Sequence, residues 1–194
     1  MQALARQANR YAPELRTHNR FGHRVDIVEF HPAYHELMEM IFGCGAHSFA
    51  WANPRPGAHV ARAALSYLWN QGENGICCPM GMTFASVAAL RHDPTLLEEW
   101  APLINRPAYD ARAGYAKTKA GVTVGMAMTE KQGGSDLRAT MTTAQPDSAR
   151  RGAGAAYRLT GHKWFFSVPM SDLFLTLAQT DKGLSCFLAT GWLP

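Results

Sequence analysis

Met126-Ala127-Met128-Thr129-Glu130-Lys131-Gln132-Gly133-Gly134-Ser135-Asp136 is the stretch on which the reading of this chain turns. An apolar, strand-like run from Val122 to Met128 enters a hydroxyl, a carboxylate, two glycines and a second hydroxyl. Adjacent glycines let a backbone turn sharply and approach a ligand closely. The freed N–H groups and the Thr129 and Ser135 hydroxyls can then meet carbonyl or phosphate oxygens. By its chemistry alone the stretch is as readily a polar β-turn as a ligand cradle.

Working outward, the residues after it keep a strand period. Thr140 and Thr142 are β-friendly, 145–154 is a polar, Gly-rich hairpin loop, and 157–160 reads as a strand closed by Gly161. The spacing predicts an aromatic strand over 163–168, with Trp164 and Phe166 on one face and Phe165 and Ser167 on the other. A ring beside a hydroxyl suits a flat heteroaromatic group, although taken alone the segment is more readily an ordinary sheet core. Two further strands, 173–179 and 184–188, flank the turn Thr180-Asp181-Lys182-Gly183.

The residues before it carry a helical period. His31 reads as an N-cap with Pro32 at the first helical position, and Tyr34, Leu37, Met38, Ile41 and Phe42 form one apolar stripe. After the turn 53–57, Val60, Ala64, Tyr67 and Leu68 share a face, and 71–75 ends that helix. An Ala-rich, nearly uncharged helix over 80–90 and a short one over 96–103 follow, separated by Asp93-Pro94-Thr95. Helices first and strands second predict an α+β chain. Residues 1–120 form an N-terminal all-α domain and 121–194 an incomplete antiparallel β-barrel-like domain. A chain ending just after a strand leaves a sheet edge open, which suggests that a further domain is missing.

Composition narrows the class. With 47% hydrophobic and 18% charged residues over 194, the chain can bury a core and is not a disordered polymer. The net charge of +4 and pI of about 9.0 come from scattered Lys and Arg, so a cationic surface is expected rather than a nucleic-acid face. Four cysteines without a CxxC pair fit a reducing, cytoplasmic setting. No apolar run approaches a membrane span, and the first ten residues lack the apolar core of a signal peptide. Other chemistries find little support. His31 and His35 are four apart but lack a third metal ligand nearby. Gly43-x-Gly45 has no preceding strand and no third glycine. There is no GxSxG elbow and no Walker lysine. The paired methionines 38/40, 80/82 and 126/128 read as core filler.

Taken together, the turn Thr129-Glu130 through Gly134-Ser135-Asp136 and the later Gly161-His162-Lys163-Trp164-Phe165-Phe166-Ser167 resemble the acyl-CoA dehydrogenase family. That family pairs a Thr-Glu-x-x-x-Gly-Ser-Asp turn with a Gly-x-Lys-x-Trp-Ile-Thr segment some thirty residues on. Phe30-His31-Pro32-Ala33, the Cys78-Pro79 to Phe84-Ala85 segment and Leu184-Ser185-Cys186-Phe187 extend the likeness to the family's alkylation-response branch, from about Val25 onward. The resemblance implies FAD as cofactor, contacted by Met126, Met128, Thr129, Gly134, Ser135, Phe165, Phe166 and Ser167. Thr129 would lie at the pyrimidine edge of the flavin, and the last three would flank the isoalloxazine. Ser135 would also meet the phosphate region of an acyl-CoA substrate. Phe165 stands where the family has Trp, Ser167 where it has Thr, and Lys131 where it has Pro.

The same resemblance implies an oxidoreductase acting on a CH–CH group, with DNA-repair associations. It places the catalytic glutamate in a C-terminal helical domain not included here, so no catalytic residue is expected in this chain, and Glu130 is not that base. Any DNA contact would belong to the same C-terminal elements, and the complete protein would form a homo-oligomer, a tetramer. A flavin-carrying, DNA-associated protective protein and an inactive truncated reading frame are the rival readings.

Overall fold

The computed structural model describes residues 1–192; Leu193 and Pro194, which close the predicted second domain, lie outside the described residues. Six α-helices lead into a five-stranded sheet: α1 Gln2–Arg10, α2 Pro32–Gly43, α3 Phe49–Ala52, α4 Ala58–Gly72, α5 Cys77–Leu90 and α6 Pro94–Ile104. Strands β3 Val124–Ala127, β4 Thr143–Pro146, β5 Tyr157–Thr160, β6 Leu173–Thr180 and β7 Gly183–Thr190 follow. The expected α+β organisation stands. One element of the helical half was not anticipated: an antiparallel hairpin, β1 Glu14–His18 with β2 Arg24–Glu29, interrupts what was read as an all-α domain. Its turn is set by Asn19, whose side chain accepts from Phe21 N–H (2.9 Å) and His23 N–H (3.1 Å), and by Gly22 at φ +82°.

Local chemistry explains the helix starts. His31 caps α2 by accepting from Ala33 N–H at 3.2 Å, ahead of Pro32. Asp93 caps α6 by accepting from Thr95 and Leu96 N–H, ahead of Pro94. Leu37, Met38, Ile41 and Phe42 are fully buried and meet Ile76 and Met80 in a first core. The predicted stripe on α4 behaves otherwise. Val60, Tyr67 and Leu68 are 74%, 69% and 61% exposed, because α4 turns its opposite side, through Leu65 and Trp69, toward that core.

A second core joins helices to sheet: Val87 and Leu90 of α5, Trp100 and Ile104 of α6, Val122 and Val124, and Leu173 and Leu175 of β6. α5 thus contributes to both cores. Its buried Thr83 reinforces the junction, donating to Pro79 C=O (2.7 Å) and accepting from Val124 N–H (3.0 Å).

The sheet is mixed rather than wholly antiparallel. β6 pairs with β7 along its full length, while β3 and the start of β4, at Thr143, share its other edge, both parallel to it. β4 and β5 close an antiparallel hairpin. Parallel pairing follows from the long excursion between β3 and β6, which returns the chain to the same end of the sheet.

Candidate functional site

The two chemistry-bearing stretches meet in space. β3 ends at Ala127 and delivers Met128 and Thr129 to the sheet edge, where a tight turn forms: Glu130 and Gly133 exchange N–H···O=C bonds of 3.1 and 3.0 Å. Thirty-five residues along the chain, the Trp164 N–H donates to the Thr129 carbonyl at 2.8 Å, laying the aromatic segment beside the turn. The Lys163 ammonium, itself partly buried, reaches the buried Glu130 Oε1 at 2.8 Å.

Glu130 holds this arrangement together. Besides Lys163 it accepts from the Thr142 hydroxyl (2.6 Å), Thr142 N–H (3.1 Å), Met141 N–H (2.7 Å) and Gln132 Nε2 (2.7 Å). Burial pushes its carboxyl upward. The Lys163 charge, with the Thr142, Met141 and Gln132 donors, outweighs burial and holds it well below the usual carboxylate range. With every lone-pair direction engaged and a lysine in contact, Glu130 is a structural anchor and not a proton acceptor for a substrate.

The residues between the anchors are less regular than their period suggested. Residues 163–168 are not a strand. Phe165 sits at φ +57°, a left-handed conformation that a bulky residue rarely adopts, and this reverses the pleat on which the predicted alternation of faces depended. Its ring is therefore thrown outward, 78% exposed, edge-on to a Trp164 ring that is itself 44% exposed. Phe166 goes the other way. It packs on Phe174 (centroids 5.0 Å apart) and over Gly125, where a Cβ would come within 2.6 Å of its ring. Gly125 is thus the position at which the aromatic segment can lie on β3.

Of the other predicted residues, Met126 and Met128 pack partly against the second core. Gly134 lies against the Thr129 side chain: a Cβ there would approach the hydroxyl to 2.8 Å. Ser135 and Ser167 are exposed, and Lys131 places its ammonium 5.7 Å from the Trp164 ring. The structure therefore groups Thr129, Gly134, Trp164 and Phe165 at one sheet edge. Ser167, past the bend, lines a cavity of about 220 Å³ that faces the helical half and that Thr129 does not border.

Sequence reasoning did not count Lys163, Thr142, Gln132 or Trp164 among the site residues. Opposite charges at Glu130 and Lys163, each embedded in one of the two motifs, were the available signal for their pairing. The Glu130 donors arrive through backbone geometry that carries no sequence pattern.

The arrangement of a Thr-Glu turn fastened to a Gly-x-Lys aromatic segment coincides with two family matches. Residues 1–111 match the adaptive response protein AidB N-terminal domain, and residues 125–191 match the acyl-CoA dehydrogenase middle domain. The chain belongs to the acyl-CoA dehydrogenase family, in its AidB branch. It is 45% identical over 193 residues to the putative acyl-CoA dehydrogenase AidB of Escherichia coli (strain K12), covering 98% of this chain and 35% of that protein. Among solved structures, the apo form of Bd2924 superposes with a TM-score of 0.82 at 29% identity, over 97% of this chain and 38% of that one. Caenorhabditis elegans ACDH-11 in complex with C11-CoA gives 0.79 at 27% identity, over 97% and 32%. The chain spans between 31% and 35% of the length of the curated relatives it matches. No helix among the described residues is long and apolar enough to cross a membrane.

Proposed function

We propose that this chain supplies one wall of an FAD site in an oxidoreductase of the acyl-CoA dehydrogenase type, and that the complete protein acts on the CH–CH bond of an acyl-CoA-like substrate. Phe165 carries the reading. A bulky residue held in a left-handed backbone with most of its ring in solvent loses conformational energy and gains no burial, a combination that persists where a ligand covers the ring. Exposed Trp164 and Phe165 beside the Thr129 hydroxyl fit a flat, partly polar ring system. Gly134, with no Cβ, leaves the Thr129 hydroxyl room to turn toward such a ring.

On this reading Thr129 bonds the edge of the isoalloxazine, Phe165 covers its face, Phe166 backs the segment from the sheet, and Met126 and Met128 give the wall its apolar base, while Ser167, turned toward the helical half, is not part of this contact. Ser135, exposed at the end of the turn, is free to meet a phosphate oxygen of FAD or of the substrate. Bound FAD would supply the hydride acceptor. The residues of this chain orient it and shield one face from water, while Glu130 and Lys163 fix the backbone that presents them. The proton acceptor lies outside residues 1–192, in keeping with the saturation of Glu130. The alkylation-response role, homo-oligomer assembly and any DNA contact are assigned to the longer protein through its AidB-branch membership.

Titrating FAD into the purified chain tests the reading. Binding should be saturable but weak, because only one wall is present, and flavin fluorescence should change on binding. A titration without saturation would contradict it.

A further inference from the structure

The 220 Å³ cavity that Ser167 borders has a chemistry of its own. It lies where α1, the entry to β1, the start of α2 and the turn before α5 converge. Two stacked ring pairs border it: Tyr11 on His31 (centroids 4.8 Å, planes 11° apart) and Phe30 on Tyr34 (4.1 Å, 22°). The Glu73 side chain also lines it, in a residue only 9% exposed. Both Glu73 oxygens accept from neutral N–H donors, Asn9 Nδ2 and the Gly75 backbone. No Lys or Arg lines the cavity, and among the described residues none forms an ion pair with Glu73.

A buried carboxylate without a counter-ion is expensive, and removing one partner of a buried pair is destabilising for that reason. Aromatic rings attract organic cations through their faces, most strongly where water is excluded. We propose that this cavity binds a small organic cation, a methylated ammonium on a short stem, with Glu73 as its counter-ion and the Tyr11, Phe30 and Tyr34 rings as its walls. The volume is below the roughly 300–1,000 Å³ of pockets for drug-sized molecules and matches a group of this size. A neutral alkyl tail would fill the same space but leave Glu73 uncompensated. A bare metal ion is disfavoured because Glu73 stands alone: the described residues contain no group of three His, Cys, Asp or Glu side chains able to hold one. Cation binding here needs no flavin, so it stands or falls separately from FAD binding.

Calorimetric titration of the 194-residue chain with choline and with 3,3-dimethylbutan-1-ol, its neutral isostere, at constant ionic strength tests the site. Choline should bind about tenfold or more tightly than the isostere. Glu73→Gln should erase that preference. Tyr11→Leu, at a half-exposed ring outside both hydrophobic cores, should weaken choline several-fold and leave the isostere unchanged, which decides the matter should Glu73→Gln fail to fold. Equal affinities for the two probes, absence of choline binding, or choline binding unchanged in the Tyr11 variant would overturn the proposal.

Discussion

Glu130 and Asp172 are both buried carboxylates in contact with a lysine, yet their surroundings move them in opposite directions. Asp172 meets Lys119 and accepts from Thr123 through its N–H (2.8 Å) and hydroxyl (3.1 Å). Burial dominates there and pushes its carboxyl up in spite of these partners. Glu130 meets Lys163 as well, and with more donors on its two oxygens it is driven down. The difference teaches that a salt bridge alone does not fix a buried charge; the completeness of its hydrogen bonding does. It also separates two tasks. The Lys119–Asp172 pair joins the approach to β3 to the start of β6 inside the core, whereas Glu130–Lys163 clamps together the two segments of the proposed flavin wall.

The comparison can be broken most forcefully at the lysines. Lys163→Met strands an ionised Glu130 and should cost about 3–5 kcal/mol of stability at neutral pH by denaturant unfolding. Lys119→Met should cost less, because Asp172, already raised, can discharge itself by taking a proton. Equal losses would show that the two pairs are equivalent after all.

Acid sharpens the contrast. The folded Glu130 stays ionised where the unfolded chain protonates its glutamates, so its contribution is complete above about pH 4.3 and is lost as pH falls below that. A histidine acts earlier. His47 is fully buried, stacked on Phe42, and lowered by burial to about 4. The unfolded chain takes up a proton there below about pH 6.5 that the folded chain refuses, so stability should drop by about 2 kcal/mol between pH 7 and pH 5. His47→Gln should flatten that limb of a pH series of unfolding curves.

At the wall itself the expected effects are smaller and of opposite sign for stability and binding. Phe165→Gly relieves the left-handed backbone and should raise stability by about 1 kcal/mol while weakening FAD. Thr129→Ala, which removes the hydroxyl at that edge, should cost about 1 kcal/mol of FAD binding. A Phe165 variant that is destabilised would show that the ring supports the fold instead of serving a ligand.

What was legible in the sequence depended on whether a local pattern decided the structure. The cap at His31, the α2 stripe and the strands at 157–160 and 173–179 follow from neighbouring residues, and they formed where expected, whereas Asp93, read only as a break, proved to cap α6. The β1–β2 hairpin carried its signal too, an Asn-x-x-Gly turn between the short alternations Leu15/Thr17 and Val25/Ile27, but one too short and polar to stand out against helices. The aromatic segment failed because alternation presumes a continuous pleat, and one left-handed residue removes it. The α4 stripe failed because periodicity names a face without naming what covers it. At the site, the residue types were legible and their joining was not. The Thr129–Trp164 bond and the donors to Glu130 arise from sequence separations over which no periodicity reaches. That Ser167 turns toward the helical half follows from the same bend at Phe165.

The central claim, that the edge carrying Thr129 and Phe165 is a flavin surface, is tested most directly by following FAD fluorescence during titration with the parent chain and with Phe165→Gly. The parent should saturate, and the variant, though at least as stable, should bind several-fold more weakly. Two superimposable titrations, or no saturation by the parent, would contradict the account.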